Sequence, residues 1–308
     1  MTLCLELNPE SISAAVDTYI RYKVDQLAQM KKYNGKTRDS VQGHLALNAK
    51  DTFLWVALVC QELDKIPRYK NPLPKLKAFP PGLYPFYQRM MNQICNSEIA
   101  DLCKRILAVV WVTYRPITLS ELTSMVDMPE DISDNHEALA DIIGLCGSFL
   151  TVRDSTISFV HQSAKDFLLE MASDEIFLDG KEVVHHTIFS RSLQVMSETL
   201  RQNIYKLDHP GTFVNNIKPP NPDPLAAVRY SCVYWVEHLR STLDQVSDYE
   251  NELSDNGAIF AFLKRHFLYW LEALSLIGGL SESIDMINNL LAVVDVSLLV
   301  ISSANITK

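Results

Sequence analysis

Apolar residues recur every three or four positions along most of the chain, and that period predicts a mainly α-helical protein. The first stripe is Ile12, Val16, Ile20, Val24 and Leu27. It predicts a helix over about 8–30, opened by Asn8-Pro9-Glu10: a side-chain cap, proline at the first helical position and an acid in the first turn. Residues 31–36 read as a polar turn, and a second helix covers about 37–47. A third, over 53–60 and capped by Asp51 or Thr52, is apolar almost all round and is therefore expected to be buried. Pro67, Pro72 and Pro74 make a stiff connector. Phe79-Pro80-Pro81-Gly82-Leu83 then leads into an amphipathic helix with Tyr87, Met90, Met91 and Ile94 inward.

The pattern changes character after residue 101. A helix to residue 114, with Leu102, Ile106, Val109 and Val110 on one stripe, stops at Pro116. Thr118-Leu119-Ser120-Glu121 has the form of a capping box and opens a short helix. Asp134 with Glu137 offers a second box, before a helix carrying Leu139, Ile142, Ile143 and Leu145. Gly147 releases it. Residues 148–160 then read as a β-hairpin turning at Arg153-Asp154-Ser155, without the stronger Asn-Gly signal. Ser163 and Asp166 are expected to cap a last helix with Ala164, Phe167, Leu168 and Met171 inward. Three helices, a hairpin and a helix make a helix-turn-helix core with a wing.

The remainder returns to helices. One is expected over 183–207, then a loop over 208–224 holding five prolines. Further helices are expected over about 224–239 and 257–277, the latter rich in aromatics, with Gly278-Gly279 as its break and Ser281 starting another. Residues 293–308 lose the helical period. The expected organisation is a helical domain over 1–97, a winged helix over 98–173 and a second helical domain over 174–308.

Composition narrows the partners. The net charge of −9 disfavours nucleic acid and anionic membrane. From Pro116 to Gly147, the would-be recognition segment of a DNA-binding winged helix, there are seven acids and no Lys or Arg, so DNA binding rests on fold alone. The six cysteines are scattered without CxxC spacing and read as buried thiols. There is no secretory signal, and residues 290–301 are too few to span a bilayer and contain Asp295. The expectation is a cytoplasmic protein.

Several stretches together carry a family likeness. They are Asp51-Thr52-Phe53-Leu54-Trp55-Val56-Ala57-Leu58, Phe79-Pro80-Pro81-Gly82-Leu83 with Tyr87 and Met90-Met91, Arg115-Pro116-Ile117-Thr118-Leu119-Ser120-Glu121-Leu122, Phe159-Val160-His161-Gln162-Ser163-Ala164-Lys165-Asp166-Phe167-Leu168, and Tyr230-Ser231-Cys232-Val233-Tyr234-Trp235-Val236-Glu237-His238-Leu239. In this order, over about 8–290, they resemble fungal NACHT-type signalling NTPases of the STAND class, many of them implicated in vegetative (heterokaryon) incompatibility. Residues 101–171 also resemble the winged-helix module labelled as that of GPI inositol-deacylases, although no deacylase chemistry is visible.

The resemblance implies a regulatory and transmission segment lying between a nucleotide motor and a sensor. Family members carry a Gly-rich phosphate loop, and many carry WD40 or ankyrin repeats; the pattern G-x-x-x-x-G-K-S/T is absent here. The chain is therefore expected to be a partial or truncated member without catalysis, holding no cofactor of its own, with ADP or ATP bound only in an intact relative. Its expected partners are proteins or an NTPase domain, with neither nucleic acid nor membrane among them. A free-standing interaction module acting in trans on intact relatives is the competing reading.

Two site residues follow from the resemblance. His161 corresponds to a winged-helix histidine that contacts the β-phosphate of bound ADP; an imidazole beside free N–H groups at a helix start suits that role. Its plain alternative is a structural histidine. Trp55 lies roughly where the class sets a helical residue against adenine, with core packing as its alternative. Tyr230, Trp235 and His238 read as a partner surface or as a core face with a satisfied histidine. Cys146 and His161 form a conceivable nucleophile and base, but neither has a visible activating neighbour. No metal site is expected.

Overall fold

Val16, Ile20, Val24 and Leu27 fall on one face of helix α1 (Pro9–Lys31) and are all buried, as their spacing predicts. The computed structural model describes residues 9–129, 132, 135–209, 212–242, 257–279 and 284–291. The expected cap at Asn8, the box at Asp134, the helix start at Ser281 and the tail over 293–308 lie outside these residues. The described chain is mainly α-helical, with one small antiparallel sheet. It forms two compact units: one of residues 1–98 with 147–149 and 169–171, the other of 99–146, 150–168 and 172–308.

In the first unit, α1 packs on α2 (Gly35–Asn48) and α3 (Phe53–Asp64). Asn34 caps α2 by accepting from Thr37 N–H at 2.8 Å. Helix α3 buries Trp55, Val56, Leu58, Val59, Cys60 and Leu63, spread round most of its circumference. That is how an almost wholly apolar segment avoids water. The proline connector contains a short helix, α4 (Leu73–Lys77). Lys75 and Lys65 both pair with the buried carboxylate of Glu62, at 3.0 and 2.7 Å. Helix α5 (Leu83–Cys95) buries Phe86, Tyr87, Met90, Met91 and Ile94, and Tyr87 stacks on Phe149 with centroids 5.3 Å apart.

The second unit opens with α6 (Ala100–Val112). Strand β1 (Ile117–Thr118) leads into α7 (Leu119–Met125) through the expected box: Thr118 Oγ1 accepts from Glu121 N–H, and the Glu121 carboxylate accepts from Thr118 N–H at 2.8 Å. Helix α8 (His136–Leu145) is capped by Asn135, one residue past the expected Asp134, with Oδ1 accepting from Glu137 and Ala138 N–H. Leu145 is 61% exposed and does not join the core face.

The hairpin is β2 (Leu150–Arg153) with β3 (Thr156–Phe159), turning at Asp154 and Ser155, both with positive φ. Two left-handed residues match the twist of the flanking strands in a two-residue loop. Strand β1 adds to β3 with Ile117 opposite Ile157, giving the order β1-β3-β2. Helix α9 (Gln162–Met171) buries Ala164, Phe167 and Leu168, while Met171 at its end is 55% exposed.

After α10 (Ser173–Ile176), α11 (Lys181–Thr199) packs along α12 (Arg229–Arg240) and also meets α6, α7 and α13 (Ala258–Leu276). Helix α11 ends eight residues before the expected 207. Leu200 turns extended, and the Glu272 carboxylate accepts from the N–H groups of Asn203 and Ile204, so a tertiary acceptor replaces a further helical turn. Likewise α12 starts at Arg229, because residues 224–228 turn around Asp223. That carboxylate accepts from Leu225 N–H, Tyr205 Oη and the Arg229 guanidinium. Trp235, Trp270, Phe262 and Phe189 fill the core between these helices.

Candidate functional site

His161 stands where β3 hands over to α9, and it is exposed. Its backbone is extended, and its ring caps the helix: Ser163 N–H donates to Nδ1 at 3.1 Å, with Ser163 Oγ 2.9 Å from the same nitrogen. The expectation that Ser163 and Asp166 cap this helix is therefore corrected. A helix start has four amide N–H groups without intrahelical partners, and here imidazole takes the place of the usual short polar side chain. The cap also fixes the tautomer. Nδ1 accepts a backbone proton, so the neutral ring carries its own proton on Nε2. That N–H has no partner among the described residues and faces solvent. The site is solvent-facing, and its Nδ1 is taken by the cap.

Four residues further on, Lys165 shares its surroundings with Trp111 and Lys181. The Lys165 ammonium lies 5.0 Å from the Trp111 ring centroid and Lys181 4.6 Å from it, while Trp111 Nε1–H donates to the Lys165 carbonyl at 3.1 Å. Burial lowers the Lys165 ammonium pKa, opposed by the Asp166 carboxylate. Sequence reasoning did not find this cluster. Its one legible signal is that Lys165 follows His161 by four residues, in the first turns of the helix that His161 caps.

Trp55 is fully buried, and its Nε1–H donates to the Pro80 carbonyl at 3.0 Å. Its polar edge is thus engaged within the first unit, and none of its ring is open to solvent. Tyr230, Trp235 and His238 are also fully buried, the core reading of the two offered. His238 Nε2 accepts from Tyr230 Oη at 2.8 Å. Cys146 is fully buried; its contact with Cys103 and its burial hold the thiol well above the ordinary range, which removes it as a nucleophile. No group of three metal-ligating side chains occurs among the described residues.

Two of the seven acids of the helix-turn-helix segment are neutralised from outside it: Glu121 by Arg115 and Asp127 by Arg191. Glu137 and Asp141 remain on the exposed side of α8 with no ion pair among the described residues. A DNA phosphate approaching that helix meets carboxylates. A cavity of about 440 Å³ opens between α6, the end of α7 and α11, but its Lys104 and Arg105 are matched by Asp101, Asp127 and Asp179.

Residues 87–177 match the family described as "GPI inositol-deacylase, winged helix domain". The chain is 49% identical over 302 residues to the vegetative incompatibility protein HET-E-1 of Podospora anserina, a NACHT protein. That alignment takes in 94% of this chain and 22% of the relative, so the chain spans under a quarter of the protein it resembles. No solved structure matches it. Among the described residues, no helix is long and apolar enough to cross a membrane.

Proposed function

We propose that this chain is the regulatory and transmission region of a NACHT-type signalling NTPase, and that His161 is its nucleotide-sensing contact. The observation that carries the reading is the fixed tautomer: the cap takes Nδ1 and leaves an outward Nε2–H donor beside a helix N-terminus. A phosphate oxygen suits that combination, since the amide dipoles and the imidazole N–H all favour negative charge. Lys165, four residues further on in the same helix, adds a cation near its start. Bound ADP supplies the anion. This chain contributes the donor, its orientation and the rigid wing-to-helix joint behind it. The likeness to nearly a quarter of a vegetative incompatibility protein supports the same assignment.

In this reading the chain turns over no nucleotide itself, since its sequence holds no phosphate-loop pattern. The nucleotide belongs to the intact protein, and the partner is an NTPase domain or another protein. Contact with the phosphate holds the closed state, and its loss lets the helical parts move as rigid bodies.

The test separates the cap from the sensor. Substituted into the matching region of the full-length relative, His161→Ala removes both the cap acceptor and the Nε2–H donor. His161→Asn keeps a cap acceptor and removes that donor. Both variants are expected to raise signalling without stimulus. If His161→Asn leaves basal output at the parental level, the sensing role fails and the histidine is a cap alone.

A further inference from the structure

We infer that the pocket between Arg115 and Arg229 is a binding site for a phosphate group. A cavity of about 220 Å³ lies there, walled by these two arginines, Tyr234, Ile277, Gly278 and Gly279. Among the described residues, no carboxylate lines it. The acids that balance the arginines stand behind them. Glu121, 1% exposed, holds Arg115 through Nη1 at 3.0 Å and Nη2 at 2.6 Å, and Asp223 holds Arg229 through Nη2 at 2.7 Å.

These bonds orient the guanidiniums without exhausting them. Arg115 Nη1 also donates to the Pro116 carbonyl, and Arg229 Nε and Nη2 reach Asp223 and Tyr205. Arg115 Nε and Arg229 Nη1 have no partner among the described residues, and each side chain is 34% exposed. The Arg115 plane rests on Tyr230 and Tyr234, 5.2 and 5.9 Å from their centroids. Planar donors held by a buried acid and aromatic faces at Arg115, and by the half-buried Asp223 at Arg229, are pre-organised for a tetrahedral dianion, which guanidinium matches bidentately.

Size sets the ligand class. Pockets for drug-sized molecules run from about 300 to 1,000 Å³, so this one accepts the phosphate group and leaves the rest of any larger molecule outside. Gly278, at φ 76°, makes the sharp turn that closes one wall with backbone alone. The ligand would join three elements of one unit: the segment between α6 and β1, the start of α12 and the turn after α13. His161 does not line this pocket, so the site stands apart from the proposed nucleotide sensor.

The experiment is thermal melting and calorimetric titration of the whole chain with inorganic phosphate, pyrophosphate or ADP, against sodium chloride at matched ionic strength. Pyrophosphate is expected to bind saturably and to raise the melting temperature by about 5 °C when present at a hundred times its dissociation constant. Arg229→Met should weaken it at least tenfold. Arg229→Lys, which keeps the charge and can still reach Asp223, should fold normally and also weaken it. His161→Ala should leave it unchanged. Equal affinity for ADP and pyrophosphate supports a site for the phosphate alone, and tighter ADP supports a nucleotide as its carrier. No saturable binding, or binding that survives in both Arg229 variants, overturns the assignment. So does binding that disappears with His161→Ala.

Discussion

The Nδ1 atoms of His185 and His238 lie 2.8 Å apart, joining α11 to α12 through two neutral imidazoles. The direction of each proton follows from the neighbours. Tyr114 N–H donates to Tyr230 Oη at 3.2 Å, Tyr230 Oη donates to His238 Nε2, and His238 therefore donates from Nδ1 to His185. The chain of donors is complete without a charge. A proton added to His238 reverses the bond from Tyr230 Oη and sits in a buried, low-dielectric place beside a second imidazole.

The pH dependence of stability follows. Burial, with the neighbouring His185, pushes His238 down to about 3, and burial also lowers His185 against the pull of Glu182. Between pH 3 and the ordinary histidine value of about 6.5, the unfolded chain binds more protons than the folded one at His238. This contribution to stability is therefore complete above about pH 6.5 and is lost as pH falls below it. Urea unfolding at pH 7 and pH 5 should show a lower midpoint at pH 5, and His238→Gln should flatten the difference. A midpoint unchanged between the two values contradicts the neutral-pair description.

Leu168 is fully exposed to packing and not to water: it is 0% accessible, with Phe167 beside it at 1%. Leu168→Ala should cost about 2–5 kcal/mol, the range for a large-to-small change in a closed core. Met171→Ala, at the exposed end of the same helix, should cost far less. Melting curves of the two variants check the ranking.

Thr118 ends β1 and caps α7 in one residue. Thr118→Ala removes the acceptor for Glu121 N–H and should destabilise by about 0.5–2 kcal/mol. Thr118→Ser keeps the hydroxyl and should recover most of it. Equal losses in both would mean that the methyl group, and not the cap, matters.

The acids on α8 lead to an expectation about nucleic acid. With Glu137 and Asp141 exposed and unpaired among the described residues, no sequence-preferring DNA complex should survive near physiological salt. A mobility-shift titration across salt concentrations tests it; a shifted, sequence-selective band at about 150 mM salt would reverse the reading.

How far the fold was legible depends on whether the cause was local. The stripe Val16-Ile20-Val24-Leu27 and the box at Thr118 and Glu121 are carried by residues within a few positions of each other, and both appear as written. The hairpin turn fell at Asp154-Ser155 without its strongest signal. Strand β1 was invisible because two residues show no alternation, and its partner β3 is 40 positions away in register. The end of α11 depends on Glu272, more than 70 residues later than the helix terminus, which no local pattern contains. At the site, His161 was found but its cap was not, because imidazole is not among the usual capping side chains. The Trp111, Lys165 and Lys181 cluster needs three elements brought together, so no local pattern contains it.

Measuring ADP affinity in the full-length relative tests the central claim most directly, with its matching region replaced by this chain and residue 161 varied. The parental protein is expected to retain ADP. His161→Asn, which preserves the helix cap, should weaken ADP by about 5- to 150-fold, the usual size of a coupling between sites. An unchanged affinity in that variant, with the protein folded, would contradict the account.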